Sequence, residues 1–250
     1  MNKKNILLES PVYTLEAAML AAENGADRLE LCSDFGEGGT TPSLGLFKVI
    51  KRKVTVPVVV MIRPRGGDFV YSKSEIEVMK EDIKAFLEHG ADGFVFGILD
   101  KQGKINSSEC QNLIQVAGGK PCTFHRAFDL VQDKVTALEE IVALGFKRIL
   151  TSGGENRVKE GLPVLLELLD KANDRIIILP GGGLMLNDIS HLSKEGRLKE
   201  IHVSCKKFRP SSMKNANGHL KLSQVEETEG MVLTVDTELM KEVVGFLRKL

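Results

Sequence analysis

The chain has 250 residues, 42% of them hydrophobic, with Lys+Arg and Asp+Glu balanced at 34 each. That length can bury the core of one large α/β domain, and a zero formal net charge leaves no field to draw nucleic acid or a membrane surface. The cysteines, Cys32, Cys110, Cys122 and Cys205, are widely spaced without a C-x-x-C pair, which excludes a zinc ribbon or thioredoxin-like motif and fits a reducing cytosol.

Residues 1–9 offer too short an apolar run for a signal peptide, and no stretch of membrane-spanning length follows, so the expectation is a soluble cytoplasmic protein. Residues 5–10 read as a first strand, and Thr14 as the N-cap of an alanine-rich helix ending near Asn24 and Gly25. Residues 28–32 form a second strand, followed by a glycine-rich turn over 36–42 and a helix capped by Ser43. A third strand covers 56–65, and Ser72 or Ser74 opens the helix behind it, which reaches His89 and Gly90. The fourth strand is 93–99, with a helix over 107–117. The fifth lies in the stretch Pro121-Cys-Thr-Phe-His-Arg-Ala-Phe-Asp129, an apolar run that turns charged at its end. A helix over 133–144, strands at 148–152, 175–179 and 200–205, and a last helix over 237–248 complete the pattern. Alternation with short turns implies parallel pairing with right-handed crossovers. Eight such units without a topological break favour a single-domain (β/α)8 TIM-type barrel over a doubly wound open sheet. Residues 206–235 interrupt the rhythm as a long loop or lid over the barrel mouth, basic at its start and acidic later.

Side chains alternate along a strand, so large aliphatics packed on the helices send the other parity into the lumen. With Leu29 and Leu31 outward, Glu30 and Cys32 point inward. By the same rule Glu9, Met61, Arg63, Arg65, His125 and His202 face the axis. Glu9, Glu30, Arg63, His125 and His202 then converge at the carboxyl ends of the strands, where buried charges must pair. The bland reading is a structural salt-bridge network closing the barrel floor. The sharper one is a catalytic site, with carboxylates and imidazoles for acid–base work and arginine for a carboxylate or phosphate. Gly181, Gly182 and Gly183 after strand seven, with Ser152 after strand six and Arg65, could cradle such an anion. No G-x-G-x-x-G unit stands in a setting for dinucleotides.

Glu30-Leu-Cys-Ser33, Glu37-Gly-Gly-Thr-Thr-Pro-Ser43, Met61-Ile-Arg-Pro-Arg-Gly-Gly-Asp-Phe69, Thr123-Phe-His-Arg-Ala-Phe-Asp129 and Ile149-Leu-Thr-Ser-Gly-Gly154 together resemble the CutC family of copper-homeostasis proteins. The resemblance implies a (β/α)8-type barrel, a cytoplasmic location, a homo-oligomer (dimer or tetramer) and a role in copper tolerance or trafficking. Cu(I) is soft and prefers thiolate and thioether. Cys32 and Met61, on adjacent strands about 4.8 Å apart, are the sulfurs that could share such an ion. Cys205 has the wrong parity, Cys122 faces a helix and Cys110 lies near an outer helix. Two functions are therefore expected: copper homeostasis through bound Cu(I), or a barrel lyase, isomerase or hydrolase acting on a small anionic, possibly phosphorylated substrate.

Overall fold

In the computed structural model, which describes residues 6–213 and 228–250, strands and helices alternate around a closed parallel barrel. The strands are β1 (Leu7–Val12), β2 (Arg28–Leu31), β3 (Val58–Met61), β4 (Gly93–Phe96), β5 (Cys122–Phe124), β6 (Arg148–Thr151), β7 (Ile177–Pro180) and β8 (Glu200–His202). They pair in the order β7-β6-β5-β4-β3-β2-β1-β8, all parallel, and a parallel bridge between Gly181 and His202 joins the two ends. The (β/α)8 architecture expected from the alternation is therefore the architecture observed.

Helices α1 (Leu15–Glu23), α2 (Leu44–Lys53), α3 (Lys73–Glu88), α4 (Ser107–Val116), α5 (Lys134–Leu144), α6 (Val158–Ala172), α7 (Leu186–Ser193) and α8 (Thr237–Leu247) surround the barrel. Several begin where the sequence signals a cap. Thr14 accepts from Ala17 N, Ser43 from Leu46 N, and Ser72 forms a capping box with Glu75, so Ser72 rather than Ser74 opens α3.

Strand parity divides the interior in two. Leu29, Leu31, Val58, Val60 and Ile62 join the large apolar layer beneath the helices. Cys32, Val59, Met61 and Val95 form a separate small cluster inside the barrel, against Tyr13. Several strands are shorter than the sequence suggests. β3 stops at Met61, because Arg63 gives its N–H to Thr41 Oγ1 rather than to a neighbouring strand, and Pro64 has none to give. β5 stops at Phe124, and His125 caps a short 3-10 helix, Arg126–Leu130, by accepting Ala127 N–H on Nδ1.

Residues 206–210 and 231–235, the two ends of the stretch expected as a loop or lid, pair as an antiparallel ribbon, β9 (Lys206–Pro210) with β10 (Met231–Val235). Residues 214–227 of that stretch lie outside the described residues. The ribbon rests on α1 and on the turn after β2. Arg209 pairs with Glu16 at 2.6 Å, Phe208 meets Phe35 edge-on, and Lys206 Nζ lies 4.5 Å from the Phe35 ring centre. Among the described residues no helix is long and apolar enough to cross a membrane.

Candidate functional site at the carboxyl end of the barrel

A ladder of charge fills the barrel axis. At its foot Arg28 bridges two carboxylates, with Nε 2.5 Å from Glu9 and Nη2 on Glu200, and Arg148 Nε adds a 2.6 Å contact to Glu200. All of these are buried or nearly so, and each carboxylate meets at least one guanidinium, which is the condition for tolerating charge away from water. The ladder then climbs. Glu9 Oε1 accepts from His202 Nδ1 at 2.8 Å, His202 Nε2 stands 3.8 Å from Glu30 Oε2, and that oxygen lies 3.6 Å from Cys32 Sγ.

Their surroundings separate the two carboxyl groups. Burial alone would raise Glu9, but the hydrogen bond from His202 and the charge of Arg28 outweigh it and bring its pKa down to about 2. Burial dominates for Glu30 and pushes it up to about 7, with help from the charge of Glu9. For His202 burial works against the charged form, yet Glu30 and the hydrogen bond to Glu9 prevail and raise its pKa. Cys32 is raised well above an ordinary thiol by burial first and by Glu30 second. At neutral pH the ladder therefore carries an ionised Glu9 beside a Glu30 poised to gain or lose a proton.

Above the ladder lies a cavity of about 450 Å³ whose wall includes Glu30, Met61, Arg63, His125, Gly182 and His202. Arg63 is 5% exposed and gives its guanidinium hydrogens to the carbonyls of Glu37, Gly39 and Gly67. Nε finds no partner, and no carboxylate among the described residues lies within ion-pair distance of it. The Phe69 ring lies 4.9 Å from its guanidinium carbon and 4.7 Å from the His125 ring. His125 is 3% exposed, and burial, then the charge of Arg63, lowers its pKa to about 3.

Of the residues read from sequence, Glu30, Met61, Arg63, His125, His202, Gly182 and Gly183 line this one cavity, and Glu9 and Cys32 lie directly behind Glu30 and His202. The other three, Arg65, Ser152 and Gly181, neither line it nor belong to the ladder behind it. Arg65 was expected inside by strand parity, but β3 has already ended. Its guanidinium turns outward to Glu75 at 2.5 Å and Asp68 at 3.0 Å. Ser152 is buried beside the cavity, its hydroxyl donating to Asp129 and accepting from Arg126. Gly181 is walled in, since a Cβ there would stand 2.7 Å from Leu150 and 2.9 Å from His202. Asp129, which ends the charged stretch after β5, likewise serves the frame: it accepts from Thr151, Ser152 and Gly154 and pairs with Arg126. The sequence reading missed Arg28, Arg148 and Glu200. Carrying the same alternation two residues further down from Glu30 and His202 would have found the first and the last.

The donors define what the site could hold. One ligand atom from each of Glu9, Glu30 and His202 lies within 4.8 Å of the others, a carboxylate–imidazole set that suits borderline divalent ions. Both oxygens of Glu9 are engaged already, by Arg28 and His202. That leaves Glu9 to orient the imidazole while Nε2 faces Glu30, an arrangement common behind metal-binding histidines. The soft donors adjoin. A Cβ on Gly39 would stand 3.3 Å from Cys32 Sγ and 3.6 Å from Met61 Cε, so both sulfur side chains pack beneath the same glycine.

A sequence profile of the CutC family matches residues 6–207. The chain is 46% identical over 216 residues to the copper homeostasis protein cutC homolog of Homo sapiens, covering 86% of this chain and 79% of that one. It is 42% identical over 214 residues to a family protein CutC of Treponema denticola, covering 86% and 87%. A crystal structure of CutC from Streptococcus agalactiae superposes with a TM-score of 0.73 at 36% identity, over 79% of this chain and 97% of that one.

Proposed function

Because the chain belongs to the CutC family, we propose that it is a cytoplasmic copper-homeostasis protein that takes up Cu(I) at the barrel mouth through Cys32 and Met61. The observation that carries this reading is the packing of a thiol and a thioether under Gly39, with Glu30 Oε2 3.6 Å from the thiol. Cu(I) favours such soft donors. Only a thiolate binds it well, so the Cys32 proton must leave as the copper–sulfur bond forms, and Glu30 stands where that proton can go. His202 Nε2, held in direction by Glu9, offers an imidazole on the other side of Glu30. Anaerobic Cu(I) titration against a competing chelator tests the reading. Cys32→Ser should weaken binding by orders of magnitude and Met61→Leu by less. Equal affinity in wild type and Cys32→Ser would remove the site.

One observation favours a second reading, a barrel enzyme that acts on a small anionic substrate. Arg63 is a buried cation whose partners among the described residues are neutral carbonyls. An anion in the adjoining cavity would supply the missing charge. Glu30 and His202 would exchange protons with it, and Gly182 and Gly183 would allow its close approach.

A further inference from the structure

Three buried polar atoms without a partner among the described residues belong to side chains on the cavity wall: His125 Nε2, Arg63 Nε and Glu30 Oε1. Buried polar atoms are nearly always hydrogen-bonded and costly when left without a partner, so three on one cavity wall call for an occupant. Their chemistry restricts what that occupant can be. His125 accepts the Ala127 N–H on Nδ1, which puts its own proton on Nε2. Buried and beside the Arg63 cation, the ring stays neutral. It is therefore a hydrogen-bond donor and not a base. Arg63 adds a positive charge with an unused N–H, and Glu30 adds an oxygen that can accept from a hydroxyl or, when protonated, donate to a second oxygen.

We propose that the cavity binds a small 2-oxo carboxylate, its carboxylate against Arg63, its keto oxygen accepting from His125 Nε2–H, and Glu30 beside the hydrogen-bearing carbon on the other side of the keto group. The proposal rests on the enzyme reading above and narrows its substrate to one class. A cavity of about 450 Å³ has room for such a metabolite together with bound water. A neutral imidazole facing a carbonyl oxygen, with a carboxyl group nearby, is a pairing suited to polarising that carbonyl while a proton moves on or off the adjacent carbon. Phe69 covers both donors. Its ring is half-buried, sits on the loop that follows β3 and touches His125 and the Arg63 guanidinium together.

Calorimetric titration of metal-free protein with a matched set of probes tests this independently of copper: 2-oxobutyrate, butyrate, butan-2-one and inorganic phosphate. The expected result is saturable binding of 2-oxobutyrate with a Kd below about 1 mM, butyrate weaker by about tenfold or more, and no binding of butan-2-one. In His125→Asn, which keeps an acceptor for the Ala127 N–H, 2-oxobutyrate should fall to the affinity of butyrate. If butyrate or phosphate binds wild type as well as 2-oxobutyrate does, the substrate class is wrong while an anion site stands. If none of the four binds, the substrate class and the enzyme reading fall together. The probe comparison needs only the wild-type chain, so it stands even where a variant fails to fold.

Discussion

At the scale of single residues, three of the shifted acid–base groups at the barrel mouth, His125, Glu30 and Glu9, each give their own pH signature. His125 is lowered from 6.5 to about 3, so below pH 6.5 the unfolded state takes a proton that the folded state refuses, and stability is lost as pH falls from 6.5 toward 3. Glu30 is raised from 4.5 to about 7, so between those values the folded state keeps a proton that the unfolded one has released, and stability rises as pH falls from 7 to 4.5. The two oppose each other across pH 4.5–6.5. Denaturation midpoints of the wild type should therefore be nearly level there, those of His125→Asn should rise toward pH 4.5, and those of Glu30→Gln should fall. Glu9, lowered from 4.5 to about 2, adds its loss only below pH 4.5, so Glu9→Gln should flatten the acid limb and, by removing a charge that helps raise Glu30, also shrink the rise between pH 7 and 4.5. Parallel midpoint profiles for all four proteins would show that these environments do not hold in solution. The copper binding proposed for Cys32 and Met61 would have its own dependence. The Cys32 thiol is raised well above its ordinary value, so Cu(I) must displace a proton and its affinity should climb with pH, which a competition titration at pH 6 and pH 8 would read.

Among the elements, the seam between β6 and α6 shows how closely the frame approaches the site. A Cβ on Gly161 of α6 would stand 1.9 Å from the Ser152 carbonyl oxygen, and Gly153, at φ +81°, lies against the same helix. Gly161→Ala must push the end of β6 off the helix, and with it the Thr151 and Ser152 groups that Asp129 gathers. Overpacking of this kind costs about 1–3 kcal/mol, to be read as a lower urea midpoint. Gly45→Ala, in α2 with open space around the new methyl, should change stability little or raise it. Such seams are not legible in a sequence, because a glycine in a helix pattern looks the same whether or not a backbone crosses it. Helix starts are legible, since Thr14, Ser43 and Ser72 carry their signal within three residues of the backbone groups they satisfy. Strand ends are not. Arg65 was placed inward by extending the alternation of β3 past Met61, where Pro64 and the turn at Gly66 and Gly67 had already ended it.

For the whole molecule, alternation was a weak guide in any one strand and a strong one across several, because a closed barrel forces all inward parities to share one axis. That is why Glu9, Glu30, Arg63, His125 and His202 could be gathered from positions far apart in the chain. Partner choice within the lumen was not readable. Arg28 meets Glu200 across 172 positions and Arg148 meets Glu200 across 52, contacts that exist only once β8 has closed on β1. These ions tie β1, β2, β6 and β8 together on both sides of the closing seam, which makes Arg28 a test of how closure is held. Arg28→Met would leave Glu9 with His202 and Glu200 with Arg148, each short of one buried cation, and should cost about 3 kcal/mol or more. Arg209 also bridges distant elements, joining β9 to Glu16 of α1, but its side chain is 41% exposed against 5% for Arg28. Arg209→Ala should cost at most about 1 kcal/mol, and less in high salt. Urea unfolding of the two variants at low and high salt decides the matter: if both lose the same small, salt-sensitive amount, the buried ladder does not hold the barrel shut and the outer apolar layer closes it alone.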